Sequence, residues 1–574
     1  MKLFISIITV MALFTSCTEE KTETADLILI NGKIITVDES LPEAEAIAVK
    51  GDTIWAIGTS HEIEKLSGSE TKVIDLNGAY AYPGFIESHA HFLGLGNAKL
   101  NLDLTKAKNW DEVIFQVAEA VHNVQPGQWI IGRGWHQEKW DPVPQPNVEG
   151  YPVHTILSQA SPYNPVMLTH ASGHAIFANA KAMELAGIDT STPDPEGGKI
   201  VRDSLGYAVG VFEETAEDLI SVKLYEYLNS RTEDIIKNEK LSKIKLASEE
   251  CLSKGITSFH DAGESFEDID LFKELAGKSH LDVRLYVMIG ESNQELKKKI
   301  NDYKMIGYGN NYLTVRAIKK YMDGALGSRG AWMIEPYDDL SEHSGLNVTP
   351  INELKETAKI AAENGFQLCT HAIGDRGNKE VLDLYENVLK KYSDQKDMRW
   401  RIEHAQHLSN EDISRFFNLG VIAAMQAVHC TSDASFVPKR IGNIRAEEGA
   451  YVWRKLIDSG ATICNGTDAP VEDVNPIQNF YASVTRKLID GTEFYAGQKM
   501  SRMEALLSYT KNGAYAAFEE NTKGSLSTGK LADITVLSNN LLTCSEEEIL
   551  NTNVLYTIVG GKIKYQSSFA SADR

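Results

Sequence analysis

Two histidines occupy alternate positions in Glu87-Ser-His-Ala-His91, at the end of an apolar run that contains Pro83 and Gly84. Side chains of an extended strand alternate faces, so His89 and His91 point the same way and can share one metal ion. Three more apolar runs end in residue types that bind metals: Thr370-His-Ala-Ile-Gly-Asp-Arg376, Arg401-Ile-Glu-His-Ala-Gln406 and Asn465-Gly-Thr-Asp-Ala-Pro470. The candidates there are His371, His404 and Asp468. Taken singly, each histidine is as ordinary as a packed core residue, and Asp468 ahead of Ala-Pro is a sound turn initiator. Taken together, imidazoles and a carboxylate at four strand ends describe a ligand set suited to a divalent ion such as Zn2+.

Such a set works only if its strands end on one face. The middle of the chain alternates short apolar runs with helix-like stretches, the pattern of parallel β/α units. Strands are predicted near Ala81–Glu87, Thr257–His260, Val283–Ile289, Val315–Tyr321, Gln367–His371, Trp400–Glu403, Val421–Met425 and Thr462–Asn465. Eight strands are what a closed (β/α)8 TIM-type barrel needs, and its active groups gather at the strand C-termini. The gap between the first and second strands far exceeds one crossover, so an insertion after strand one is expected over about residues 97–245, rich in Trp, Pro and Gly. Both ends of the chain carry short β-branched runs with Asn-Gly or Gly-Asp turns, too few at either end to bury a core. A small β-sandwich built from both ends solves this, with residues 26–80 as its first part and 516–565 as its second. The barrel then occupies 81–515. The expected fold class is α/β.

The 574 residues hold 57 Lys and Arg against 80 Asp and Glu, a net charge of −23. That balance argues against nucleic-acid partners and anionic membrane surfaces, both of which require clustered cations. An apolar fraction of 43% and a charged fraction of 24% are globular values. The first residues differ: Met1-Lys2, the apolar Leu3–Phe14, then Thr15-Ser-Cys17 make an export signal too short to span a membrane stably. Cys17 resembles the acceptor of a bacterial lipobox, although Phe14 stands where Leu is usual. Residues 1–17 are thus expected to be a lipoprotein signal and 18–25 a tether. The protein would be exported and lipid-anchored at the periplasmic or outer-membrane face, meeting a membrane only through Cys17. The other five cysteines are scattered and odd in number, which is no disulfide framework. The sequence leaves oligomeric state open, a homodimer included.

The sequence resembles the amidohydrolase superfamily, and within it the amidohydrolase-3 group that includes N-substituted formamide deformylases. Six segments carry the resemblance: Pro83–His91, Gly255–Gly263, Met322-Asp-Gly-Ala-Leu-Gly-Ser-Arg329, His371–Arg376, Arg401–Gln406 and Gly466–Pro470. It implies that His89, His91 and Asp468 bind one metal, and that His371 and His404 bind a second where one is present. It also selects Lys319, four residues before Asp-Gly, as a lysine that CO2 can convert to a carbamate bridging two ions. Lys319 and Lys320 are adjacent and face opposite ways, so one alone can point inward. The implied activity is hydrolysis of C–N bonds in amide, formamide or related carbonyl small molecules. A divalent ion acidifies a water and polarises the carbonyl, and Asp468 takes the water's proton and hands it to the leaving nitrogen.

Two departures from the group's pattern bear on substrate. Met425-Gln-Ala-Val-His429 replaces the usual Met-Gln-Pro before histidine, and Ser172-Gly-His174 replaces Asp-Gly-His. His174 and His429 are candidate pocket residues. Arg329 can pair bidentately with a substrate carboxylate, or else hold its loop to Asp323 or Glu335. Competing readings are an ester or phosphate-ester hydrolase on the same site, and a non-catalytic binding lipoprotein on a hydrolase barrel. Loss of a ligand would mark the last, and none is missing.

Overall fold

Eight short runs of Ile, Val, Leu and Ala form the central strands of the computed structural model. It describes residues 23–137, 140–171, 175–392, 394 and 397–570. The strands are β1 (Phe85–Ala90), β2 (Ile256–Glu264), β3 (Arg284–Ile289), β4 (Leu313–Tyr321), β5 (Gln367–Ala372), β6 (Arg401–His404), β7 (Ile422–Met425) and β8 (Ile463–Asn465). Almost every residue in them is buried, as expected of parallel strands covered on both faces. Neighbours pair in parallel from β1 through β8 in chain order. Beyond the last ladder, Asp468 N donates to His89 O at 2.8 Å and His91 N to Ala469 O at 2.8 Å. These two bonds join the exits of β8 and β1 and bring the ring to near closure. Gly466 permits it, since a Cβ there would lie 2.2 Å from Glu87 Oε1 and 2.5 Å from His89 N.

The predicted first strand, Ala81–Glu87, is split. Tyr80–Pro83 belongs to the sandwich, where it pairs antiparallel with Ile534–Leu537, and the barrel strand starts at Phe85. The break is Gly84, whose N–H goes to Asp533 O at 2.9 Å and whose Cβ, if present, would lie 2.2 Å from Thr257 Oγ1. The sandwich uses both chain ends. One four-stranded sheet comes wholly from the front of the chain, Leu27–Ile30, Ala46–Lys50, Thr53–Gly58 and Lys72–Asp75. The other joins Lys33–Ile35, Glu43–Ala44 and Tyr80–Pro83 to Ile534–Leu537, Val554–Val559 and Lys562–Gln566. Their shared core includes Leu29, Ile34, Ile47, Val49, Ile534 and Val536. A buried fork binds it to the barrel: Arg284 of β3 meets Asp533 through Nε at 2.7 Å and Nη2 at 3.0 Å.

The insertion lies between β1 and β2. It holds a six-stranded sheet around Trp110, Trp135, Trp140 and Phe177, and returns to the barrel along the helix Glu233–Ser253. Among the described residues no helix is long and apolar enough to cross a membrane. The signal segment and Cys17 lie outside the described residues.

Candidate metal centre

Each candidate sits at a strand exit, and hydrogen bonds aim it inward. Glu87, buried on β1, accepts His89 N at 3.0 Å, Thr467 N at 2.9 Å and Thr467 Oγ1 at 2.9 Å, clamping the β8 exit to β1. Asp468 follows with φ +58°, a left-handed conformation that Asp tolerates better than most residues. Its Oδ1 lies 3.3 Å from His91 Nε2 and 3.5 Å from His89 Nε2, without forming a hydrogen bond to either. His89 turns its other nitrogen, Nδ1, to Glu403 of β6. His404 ends β6 with φ +75°, an uncommon conformation of the kind that clusters at functional sites. Its Nδ1 donates to Gln426 Oε1 at 2.7 Å, which leaves Nε2 as the ring's lone-pair nitrogen. The His371 ring lies 4.4 Å from that of His404, and its Nε2 is buried with no hydrogen-bond partner.

Lys319 is buried on β4 with Nζ 3.4 Å from His89 Nε2, while Lys320 turns away to Glu291 O at 2.9 Å. The Tyr321 ring closes over the lysine at 4.8 Å. Burial holds the Lys319 ammonium below the usual lysine range. Burial, with Lys319 and His89 nearby, brings His371 down to about 3, and His404 is held well below ordinary histidine by burial and by His371. Burial would raise the Asp468 carboxyl, but the His89 and His91 imidazoles outweigh it and hold the group well below the carboxylate range. Neutral imidazoles beside an ionised carboxylate are what a divalent ion requires of its ligands. The buried, unpartnered His371 Nε2, His429 Nε2 and Asp468 Oδ1 fit such an ion.

Two donor sets have the needed proximity. The ligand atoms of His89, His91 and Asp468 lie within 4.8 Å of one another, and so do those of His404, His429 and Asp468. Asp468 is common to both. The sequence put His429 among pocket residues and paired His404 with His371. In the structure the His429 ring stacks on that of His404 at 6.3 Å, whereas His371 Nε2 lies 3.7 Å from Asp323 Oδ1 and outside both sets. Arg329 is a correction. Its Nε and Nη2 bind Asp339 at 3.0 and 2.9 Å, so the fork offered to a substrate carboxylate is already filled, and by neither Asp323 nor Glu335. Asp323 instead accepts the backbone N–H groups of Trp332, Ile373 and Gly374. His174 lies outside the described residues.

Sequence reasoning missed the residues that orient the candidate ligands: Glu87, Glu403, Gln426, and Gln406, whose Nε2 lies 3.1 Å from His429 Nδ1. Glu403 carried a signal, since alternation puts it on one face of β6 with Arg401, a charge pair in an otherwise apolar strand. Burial pushes its carboxyl up, but Arg401 and His89 outweigh that and bring it to about 2.

Comparison with known proteins identifies the family. Residues 72–565 match the model of the Amidohydrolase family. The chain is 32% identical over 554 residues to Protein LONG AFTER FAR-RED 3 of Arabidopsis thaliana, covering 94% of this chain and 92% of that one. It is 27% identical over 551 residues to N-substituted formamide deformylase of Arthrobacter pascens, covering 95% and 99%. An uncharacterized metal-dependent hydrolase from Pyrococcus furiosus superimposes with a TM-score of 0.70 at 25% identity, over 90% of this chain and 100% of that one. With groups able to hold a metal ion gathered at the barrel mouth and a family match spanning both barrel and sandwich, the chain belongs to the amidohydrolase family of hydrolases.

Proposed function

We propose that the protein hydrolyses C–N bonds of amide, formamide or related carbonyl small molecules with one or two zinc ions. The observation that carries this reading is the convergence of His89, His91 and Asp468 within 4.8 Å at the barrel mouth. A divalent ion supplies an acidified water and a Lewis acid for the scissile carbonyl. His89, His91 and Asp468 are assigned to the first ion. Asp468, ionised and beside the partly exposed His91, takes the proton from the attacking water and returns it to the departing nitrogen. The second ion is assigned to His404 and a carbamate on Lys319. Burial favours the neutral amine that attacks CO2, forming the N–C bond and releasing one proton.

The third partner of the second ion is His371 by resemblance and His429 by proximity, and metal counting separates them. His371→Ala and His429→Ala are to be purified and their zinc content measured. The variant that falls by one ion per chain identifies the ligand. The function itself is tested by removing metal with a chelator and assaying N-formyl, N-acyl, cyclic amide and ester substrates before and after Zn2+ is restored. Amide or formamide turnover that disappears and returns supports the proposal, and turnover of esters alone refutes it. The opening segment supports a further part of the reading, export with a lipid on Cys17.

A further inference from the structure

Beneath the ligands, the barrel interior holds ionised groups where apolar packing would suffice. Arg401 and Glu403, on one face of β6, are both fully buried. Burying a charge pair is often no more stabilising than apolar residues of the same volume, so its presence asks for another reason. Its contacts supply one. His89 Nδ1–H donates to Glu403 Oε2, and Arg401 Nη2 donates to that same oxygen at 2.9 Å. Arg401 Nη2 also donates to Ser88 O at 2.6 Å, the carbonyl just before His89. Arg401 Nη1 donates to His260 Nδ1 of β2 at 3.1 Å, and Nε lies 2.7 Å from Glu403 Oε1. One guanidinium therefore holds both the carboxylate that grips the His89 ring and the backbone that carries it. On the other side, Glu87 accepts His89 N at 3.0 Å.

We propose that Arg401 and Glu403 are positioning residues that fix His89 as an Nε2 ligand, by holding its Nδ1 proton and its backbone from within the barrel. With Nδ1 committed to Glu403, the remaining lone pair belongs to Nε2, the nitrogen that faces Asp468 and Lys319. The ring cannot rotate to present Nδ1 without giving up its hydrogen bond to the buried Glu403 carboxylate. This inference rests on the metal reading above, and it concerns metal affinity rather than turnover.

The test is a Zn2+ titration of the full chain against a competing chelator, on wild type, Glu403→Gln, His89→Ala and the double variant. A partner of this kind is worth about 10–100-fold in metal affinity. Glu403→Gln is expected to lose that much in the wild-type background and to lose nothing more once His89 is gone. Equal losses in both backgrounds, or a loss under threefold, overturn the proposal. Should Glu403→Gln fail to fold, 15N shifts of the wild-type histidines decide the matter. A His89 with protonated Nδ1 and metal on Nε2 supports the relay, and metal on Nδ1 refutes it. Wild type that binds no zinc overturns this inference together with the reading beneath it, whereas zinc binding indifferent to Glu403→Gln overturns this inference alone.

Discussion

Asp468→Asn separates proton transfer from folding, because the backbone at that position tolerates the change. The residue has φ +58°, and Asn adopts that left-handed conformation as readily as Asp. The backbone bond from residue 468 to His89 O at 2.8 Å is indifferent to the side chain. The amide oxygen can still face His89 and His91 at the 3.3 to 3.5 Å now spanned by Oδ1. What is lost is a carboxylate able to accept a proton. Positioned acid–base groups contribute about 10²–10⁴ in rate, or about 2.7–5.4 kcal/mol of barrier at 1.36 kcal/mol per tenfold. Kinetics on the best amide or formamide substrate, with bound zinc measured on the same sample, should show kcat down by about that factor. The melting temperature should stay close to wild type. A variant that keeps its zinc and turns over within tenfold of wild type would refute the assignment. A variant that has lost its zinc would support the ligand assignment of Asp468 and leave its proton-transfer role without support.

Lys319→Ala should lose zinc and activity together, with partial rescue by a short carboxylic acid filling the space left; retention of both ions without rescue refutes the carbamate. Gly466→Ala must displace Glu87 or the His89 backbone, since its Cβ would lie 2.2 Å from Glu87 Oε1. Overpacking of that kind costs about 1–3 kcal/mol, to be read by denaturant unfolding, and zinc affinity should fall with it; an unchanged midpoint argues that closure does not depend on this contact. Cys17→Ala should release the protein from the membrane fraction, because each buried acyl CH2 contributes about 0.8 kcal/mol of anchoring. Equal solubility of variant and wild type would remove the lipid.

Periodicity made the barrel legible. Parallel strands buried on both faces are continuous apolar runs, and their spacing by helical stretches leaves few topologies. The one strand placed wrongly, Ala81–Glu87, fails for a reason that lies outside its own residues. Gly84 marks a transfer between two sheets, and the partners that split the run, Asp533 and Thr257, are far away in sequence. Arg329 does hold its loop by an ion pair, but its partner is Asp339 rather than Asp323 or Glu335, because only the loop's path selects among several acids.

The sequence by itself determined which residue types reach the barrel mouth. Strand alternation and the common exit of parallel strands are local rules, and they suffice to gather His89, His91, His371, His404 and Asp468 at one end. Tertiary structure alone decided how those groups are aimed and shared. Glu403 on β6 orients His89 on β1, Gln426 past β7 orients His404, and Glu87 on β1 fixes the turn that carries Asp468. Each of these bonds joins different strands, and the barrel's registers and stagger set them at a precision no single strand encodes. The same holds for His429, a histidine in a helix after β7 that reaches ligand distance of Asp468 only because the ring of strands closes.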